Sequence, residues 1–296
     1  MKKYTFRKID AFTDGRSSGN PAGCVYLNKR DDISDDEMQL IARELKGFVN
    51  EVVYVFPDKD GYFLKFYSSE CEVAFCGHGT IAAMHYCIKN NPELFAKDSI
   101  QIRVRDYVLE IYNTIKKDDS IHILAPNPTS HQVTIEIGQI ASKLNLDREG
   151  IHKDYDMGVV DAGLNTLIVP IRSLNECLEM EPDQSSLKSF CLEHGIDIIL
   201  VFTTEVSDKN NDFRTRVFAP KYGYLEDPAT GAGNSAFGYY LINGKLWDGG
   251  ELTIEQNNRY DFPNIVKLRT IKKEGKVFVT FGGSAMVKIE GQYCIP

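Results

Sequence analysis

The chain has 296 residues, enough for two domains of ordinary size or for one large domain. Apolar residues make up 43% and charged residues 26% of it, as in globular proteins, which excludes disordered and fibrous classes. The net charge of −8 and the lack of a block of Lys and Arg disfavour nucleic acid and anionic membrane as partners.

Two helices and a series of short strands are predicted in the first half. Ser34 is predicted to cap the first helix, because Glu37 occupies the capping-box position ahead of an apolar helix face. The second helix is predicted from about Gly79 to Asn90. β-branched and aromatic runs predict strands at 4–12, 22–27, 51–56, 62–68, 100–105, 107–113 and 120–124.

The second half repeats this layout, with helices predicted at roughly 182–194 and 228–243. Strands are predicted at 157–162, 166–171, 196–204, 213–220, 251–256, 265–270 and 276–282. The segment 125–130 is the richest in Pro, Ser and Asn, and a domain crossover is predicted there. The chain is therefore predicted to be α+β, with one domain formed by 1–126 plus about 284–296 and another by 127–283.

The cellular compartment is predicted from what the sequence lacks. No apolar run is long enough to span a membrane, and the basic N-terminus is not followed by the apolar stretch of a signal peptide. The seven cysteines are an odd number without a CxxC pair, which favours free thiols in a reducing cytoplasm over a disulfide framework.

The two halves are predicted to be distant copies of each other. GNPAGCVYL near residue 19 resembles GLNTLIVP near residue 163, and CGHGTIAA near residue 76 resembles ATGAGNSA near residue 229. Both pairs are separated by about half the chain, and in each half a strand leads through a small-residue turn into a helix.

The first candidate site is the turn Cys76-Gly77-His78-Gly79-Thr80, which opens a helix. Glycine lets a ligand approach the backbone, and the first N–H groups of a helix have no partner within it, so the turn suits a carboxylate. The helix N-terminus is also expected to lower the pKa of a cysteine. A tight structural turn with a buried thiol explains the same residues equally well.

The second candidate is the segment 226–234, EDPATGAGN. Asp227 followed by Pro228 has a purely structural interpretation, as the cap and first residue of a helix. The small residues after Thr230, beginning with Gly231 and Ala232, point instead to the close approach of a ligand or of the other domain. If the two helices face each other, their N-termini converge on one cavity that would hold a carboxylate substrate.

The third candidate is Glu51, where a loop becomes an apolar strand. A carboxylate in that position is partly desolvated and suited to proton transfer. An exposed strand-end glutamate is the alternative interpretation.

No metal or other cofactor is predicted. Cys71, Cys76, His78 and His85 lie close together in the sequence, but their spacing matches no zinc motif. No P-loop is present and no GxGxxG follows a strand, which disfavours nucleotide cofactors.

Taken together, these candidates resemble the phenazine-biosynthesis PhzF-like family of the diaminopimelate epimerase-like fold, over nearly the whole chain. The residues that carry the resemblance are Asp10–Thr13, Gly19–Ala22, Met38-Gln39, Ile41-Ala42, Asn50-Glu51, Cys76–Thr80, Arg216–Pro220, Glu226–Gly231 and Gly282–Ala285.

The resemblance implies two pseudo-symmetric domains, each a β-barrel-like sheet around a central helix, with the site between them, and a homodimer. It implies an isomerase that needs no cofactor, in which Glu51 moves a proton between substrate carbons while His78 and Asp227 assist. The substrate-binding residues it implies are Asn20, Cys76, Gly77, Gly79, Thr230, Gly231 and Ala232.

Two departures from the family pattern bear on the substrate. Ala232 stands where members of the phenazine pathway have Ser, so one hydroxyl that could contact substrate is absent. The motif around Cys76 also resembles proline racemase and related two-thiol epimerases, which need a second Cys in the later turn. Pro228 is expected close to that position.

The sequence therefore predicts an isomerase of a small carboxylate, acting by Glu51-mediated proton transfer. Two alternatives stay open. One is a racemase or epimerase that uses Cys76 as one of two bases, and the other is a non-catalytic binding protein on the same fold.

Overall fold

A computed structural model describes residues 1–59, 61–131 and 134–295, so the last residue of the predicted segment 284–296 lies outside it. The chain divides into two compact units. The first comprises Met1–Leu124 and Gly282–Pro296, and the second comprises Ala125–Phe281. No helix among the described residues is both long and apolar enough to cross a membrane.

The first unit contains both strands and helices. Its strands are β1 (Lys2–Ala11), β2 (Asn20–Tyr26), β3 (Glu51–Asp58), β4 (Gly61–Ser68), β5 (Glu72–Val73), β6 (Ser99–Val104), β7 (Tyr107–Asn113), β8 (Ile121–Leu124) and, in the returning segment, β18 (Ala285–Ile295). Its helices are α1 (Asp35–Glu44), α2 (Gly77–Lys89), α3 (Pro92–Phe95) and α4 (Ile115–Asp118).

The second unit also contains both strands and helices. Its strands are β9 (Thr129–His131), β10 (Gly158–Asp161), β11 (Asn165–Pro170), β12 (Ile198–Thr203), β13 (Phe213–Phe218), β14 (Glu226–Asp227), β15 (Leu252–Gln256), β16 (Asn264–Lys273) and β17 (Lys276–Gly283), the last ending in the returning segment. Its helices are α5 (Ile137–Lys143), α6 (Leu174–Glu179), α7 (Gln184–Glu193) and α8 (Gly231–Asn243).

The predicted cap of α1 is confirmed. The Glu37 N–H donates to Ser34 Oγ at 3.2 Å, and the Ser34 N–H donates to a Glu37 carboxylate oxygen at 2.9 Å. Met38, Ile41 and Ala42 form the buried face of the helix, which packs against β3 and β4. The local pattern alone fixes this element, because the cap and the apolar stripe agree.

The central helix of the first unit is α2. Antiparallel β1 pairs with β2 and with β18, β2 runs parallel to β3, β3 is antiparallel to β4, and β4 is parallel to β6. The sheet packs around α2, which contacts β1, β2, β3, β8 and β18. Nine of the 13 residues of α2 are therefore buried, which explains why the helix is apolar on nearly all sides.

The second unit repeats the pairing pattern strand for strand. β10 to β11 is antiparallel, β11 to β12 parallel, β12 to β13 antiparallel and β13 to β15 parallel. A helix of the same length, α8, follows the short strand β14, as α2 follows β5. The repeated order supports the prediction that the halves are distant copies.

Several elements differ from the sequence-based expectation. The helices predicted from Gly79 and from residue 228 begin at Gly77 and Gly231. β18 and the short helices α3 to α6 were not predicted. Residues 288 to 292 of β18 are all exposed. The strand therefore lacks the alternation of apolar and polar residues by which a half-buried strand is predicted from sequence.

The C-terminal half of α2 is held by Asp119, at the end of α4. Asp119 Oδ1 lies 3.1 Å from His85 Nε2 and accepts a hydrogen bond from Lys89 Nζ at 2.8 Å, while Oδ2 accepts one from Ser284 Oγ at 2.9 Å. Burial alone would raise the pKa of Asp119, but the hydrogen bonds from His85 and Lys89 hold that pKa well below its usual range. The ionised carboxylate therefore ties α2 to two neighbouring segments.

Asp119→Asn is expected to lower the free energy of unfolding at pH 7 by up to about 1 kcal/mol, since the carboxylate is half-exposed and its pairs are screened. Asn tolerates the left-handed backbone of this position, so the change tests charge rather than strain. A depressed folded-state pKa stabilises above the unfolded value, so the difference from wild type should shrink as the pH falls below about 4. Urea unfolding followed by circular dichroism measures it, with the exposed turn variant Asp106→Asn as control; a pH-independent difference would contradict the assignment.

Candidate active site

The pairing of β3 with its two neighbouring strands fixes the position of Glu51. It is the first residue of β3, paired with Ala22 on β2 and with Ser68 on β4. Since side chains alternate along a strand, Glu51 shares a face with Val53, which contacts α2. A Cβ on Gly79 would lie 2.7 Å from a Val53 methyl group, so only glycine lets the start of α2 approach β3 this closely.

Glu51, His78 and Cys76 form one contiguous cluster. A Glu51 carboxylate oxygen, Oε2, lies 3.2 Å from His78 Nε2, with side-chain exposures of 21% and 13%. Cys76 Sγ lies 3.5 Å from His78 Nδ1 and 3.8 Å from His78 Nε2. Cys76 is the buried N-cap of α2, and its sulfur accepts a hydrogen bond from the Gly79 N–H at 3.3 Å. The structure thus brings three predicted site residues together.

The charges in this cluster are coupled. Burial raises the pKa of the Cys76 thiol, which corrects the expectation that the helix N-terminus lowers it, because the desolvation of a thiolate here outweighs the helix end and His78. Burial alone would lower the pKa of His78, but Cys76 and Glu51 hold that pKa well above its usual range. Because the raised pKa keeps the thiol protonated at neutral pH, Glu51 is the partner that still raises the pKa of His78 there.

Two polar side chains lie beside the strands that carry the cluster. Asn20, the first residue of β2, is fully buried and lies opposite Ala11 on β1. Gln39 of α1 donates from Nε2 to the Ser68 carbonyl at 2.9 Å. Ser68 is the residue of β4 that pairs with Glu51 of β3. Gln39 was predicted only as part of the family resemblance, and this contact could not be foreseen because its target is a backbone atom of a distant strand.

The second unit holds Asp227 in a turn built around Gln256. Asp227 Oδ2 accepts a short hydrogen bond from Thr230 Oγ1. The buried Gln256 side chain accepts from the Thr230 N–H at 3.0 Å and from Asn234 Nδ2 at 2.7 Å, and donates to the Asp227 carbonyl at 2.9 Å. Gln256 is not among the predicted site residues, although a polar residue at the end of an apolar strand is a signal that could have marked it.

The helix-cap interpretation of Asp227 and Pro228 is wrong, because the N-cap of α8 is Thr230. Thr230, and not Pro228, therefore stands where Cys76 stands in the first unit. Gly231 packs so closely that an added Cβ would lie 2.3 Å from the Phe281 ring, whereas Ala232 is partly exposed in the first turn of α8. The position of a second catalytic thiol thus holds a hydroxyl engaged with Asp227.

The four Cys and His residues that lie close together in the sequence do not come together as metal ligands in the structure. His85 faces Asp119 at the far end of α2, and Cys71 is an exposed thiol whose sulfur lies 4.0 Å from Ser68 Oγ. A different set does: one donor atom each from Glu51, Cys76 and His78 lie within 4.8 Å of one another. Spacing could not indicate it, since Glu51 comes from another strand.

Comparison with known proteins places the chain in a family. The family model described as phenazine biosynthesis-like protein matches residues 9–291. The chain belongs to this family. An uncharacterized isomerase of Clostridium acetobutylicum is 28% identical over 306 residues, covering 99% of this chain and 98% of its own.

Solved structures extend the comparison. A phenazine biosynthesis protein of the PhzF family from Bacillus anthracis is 25% identical, covers 100% of both chains and superposes with a TM-score of 0.88. A hydroxyproline epimerase of Agrobacterium vitis shares the fold at 11% identity, with a TM-score of 0.60 over 99% of this chain and 91% of its own. The predicted family and epimerase-like α+β fold are confirmed, and the prediction of an isomerase agrees with the class named for the relatives of this phenazine biosynthesis-like chain.

Proposed function

We propose that this chain is an isomerase that moves a proton between two carbon atoms of a small carboxylate, with Glu51 as the proton carrier. The observation that carries the proposal is the Glu51 carboxylate, whose Oε2 is sealed from solvent beside an imidazole. Among the described residues this oxygen has no hydrogen-bond partner of good geometry, so a proton from substrate carbon can occupy it.

His78 and Cys76 support the carboxylate in different ways. A charged His78 stands beside the Glu51 carboxylate and offers a proton donor to the charge that develops on the substrate. The Cys76 thiol fixes the first turn of α2 through the Gly79 N–H. Asp227, whose role rests on the family resemblance, is proposed to assist from the second unit.

The substrate carboxylate is proposed to bind at the start of α2. The Gly79 and Thr80 N–H groups are already used by Cys76, through its sulfur and its carbonyl. The N–H groups of Gly77 and His78 precede them and, as at any helix start, have no partner within the helix. They are therefore the donors suited to an anion, with the helix dipole adding to the attraction.

Solvent isotope exchange tests the proposal. A panel of cyclic and aromatic carboxylates is incubated with the protein in D₂O, and deuterium at carbon is followed by NMR. Incorporation that needs Glu51, on a compound whose double bond or proton has moved, supports an isomerase. A compound that binds, gains no deuterium and is recovered unchanged would instead favour the non-catalytic alternative.

Cys76→Ser is expected to keep deuterium exchange within about tenfold of wild type, because serine caps a helix well and Glu51 remains the base. A two-base racemase would lose its exchange almost completely in this variant. Alkylation of Cys76 cannot distinguish the Glu51 isomerase from the two-base racemase. A group added to Cys76 Sγ, which lies 3.5 Å from His78 Nδ1, would block the cluster in either case. Cys71→Ser, which changes an exposed thiol, is the control.

A reducing cytoplasm and a homodimer complete the proposal. All seven cysteines are free thiols, which is consistent with a reducing compartment. The homodimer rests on the family resemblance, and light scattering of the purified protein tests it.

A further inference from the structure

The Glu51 cluster combines three kinds of metal donor. A carboxylate oxygen, a thiol sulfur and an imidazole nitrogen all lie within 4.8 Å of one another. Sulfur and imidazole ligands select thiophilic ions such as Zn²⁺ over Mg²⁺ or Ca²⁺. A carboxylate and a thiolate together also neutralise the two charges of such an ion, which matters in a part-buried position.

The distances fit a tetrahedral ion. Bonds of about 2.0–2.1 Å to nitrogen or oxygen and about 2.3 Å to sulfur place neighbouring donors about 3.3–3.6 Å apart in a tetrahedron. His78 Nε2 lies 3.2 Å from Glu51 Oε2 and 3.8 Å from Cys76 Sγ. Two of the three donor pairs thus already stand close to the required separations, and the third pair, the Glu51 oxygen and Cys76 Sγ, lies within 4.8 Å. Three protein ligands leave one position open, as in zinc sites that exchange water.

We propose that Glu51, Cys76 and His78 bind a thiophilic divalent cation, with Zn²⁺ as the probe, and that the ion inhibits the enzyme reversibly. On binding, the Cys76 thiol and the His78 imidazolium each release a proton to the buffer, and the ion takes the carboxylate oxygen that would otherwise accept the substrate proton. The binding site stands on geometry alone, whereas the inhibition rests on the proposed function. The ion is an inhibitor, and no resident metal is implied.

Cobalt spectroscopy tests the site without any substrate. The Cys71→Ser/Cys294→Ser variant removes both exposed thiols and leaves five buried ones, of which Cys76 alone belongs to the cluster. Titration of this variant with Co²⁺ under reducing, anaerobic conditions should give a thiolate-to-cobalt charge-transfer band and the intense visible bands of a tetrahedral site. Zn²⁺ should displace the cobalt and abolish both.

Ligand variants decide whether these three residues hold the ion. Cys76→Ser or His78→Gln should weaken binding by at least about 100-fold, because even partners of a ligand typically cost 10–100-fold when removed. Glu51→Gln should weaken binding and keep the charge-transfer band at saturating cobalt. An absent band, or a band that survives Cys76→Ser, would overturn the site.

The two proposals fail separately. Deuterium exchange measured in the presence of a chelator tests the isomerase without metal, and cobalt binding tests the site without catalysis. Where exchange is present, Zn²⁺ should stop it and excess chelator should restore it. Exchange that is unaffected by Zn²⁺ at concentrations that displace cobalt would overturn the inhibition while leaving the site.

Discussion

Glu51→Gln is expected to lower turnover by about 10²–10⁴-fold, the usual value of a well-placed acid or base. Glutamine keeps the shape of the side chain and can still meet His78, but its amide does not accept a proton from carbon at neutral pH. Because Glu51 is 21% exposed at a strand end, the fold should tolerate the change. Substrate affinity should be nearly unchanged, since the proposed carboxylate donors are backbone N–H groups of α2.

The measurement is the rate of deuterium incorporation and of product formation on the substrate found by exchange. Glu72→Gln is the matched control, because Glu72 is a part-buried strand glutamate of the same unit that pairs with Arg105 at 3.5 Å. It should keep a rate within about threefold of wild type, as expected for a group outside the chemistry. A Glu51→Gln enzyme that turns over at a near-normal rate would remove Glu51 from the mechanism.

The elements that could be predicted are those whose signal is local. The capping box of Ser34 and Glu37 predicts the start of α1 from four residues. Strands such as Ser99–Val104 are predicted by their own alternation of apolar and polar residues. The starts of α2 and α8 were predicted at the wrong residues because glycine is a poor helix former. Glycine is required at Gly79 and Gly231 by close packing against Val53 and Phe281, which the sequence does not show.

The candidate site divides in the same way. Glu51, Cys76 and His78 stand out individually, but their contact depends on the register of β3 and on the approach of α2, which no spacing records. The family resemblance supplied what the pattern could not. Gln256 was not found, because it supports Asp227 from a strand that lies far along the chain.

The second unit depends on a fully buried ion pair. Arg214 Nη1 donates to Glu255 Oε2 at 2.6 Å, and both side chains are 0% exposed. The same carboxylate accepts from the Ser207 N–H, the Asp208 N–H and Asn211 Nδ2 at 2.8–2.9 Å. Burial alone would raise the pKa of Glu255, but these hydrogen bonds hold it below its usual range, so the carboxylate is ionised at neutral pH.

Glu255→Gln is expected to lower the free energy of unfolding of the second unit by about 3–5 kcal/mol, because Arg214 is left as an uncompensated buried charge. The substitution conserves volume, so no cavity contributes, and the new NH₂ group faces donors rather than acceptors. The single tryptophan of the chain, Trp247, lies in this unit, so its fluorescence during urea unfolding reports the change directly.

Glu251→Gln separates a buried pair from an exposed one within the same unit. Glu251 is 54% exposed and lies 3.3 Å from Arg269, so its loss should cost less than about 1 kcal/mol. The contrast follows from the surroundings, since water replaces the lost partner of Arg269 but cannot reach Arg214. Equal urea midpoints for the two variants would mean that the Asn257 and Arg259 carbonyls, which already accept from the Arg214 guanidinium, compensate its charge without Glu255.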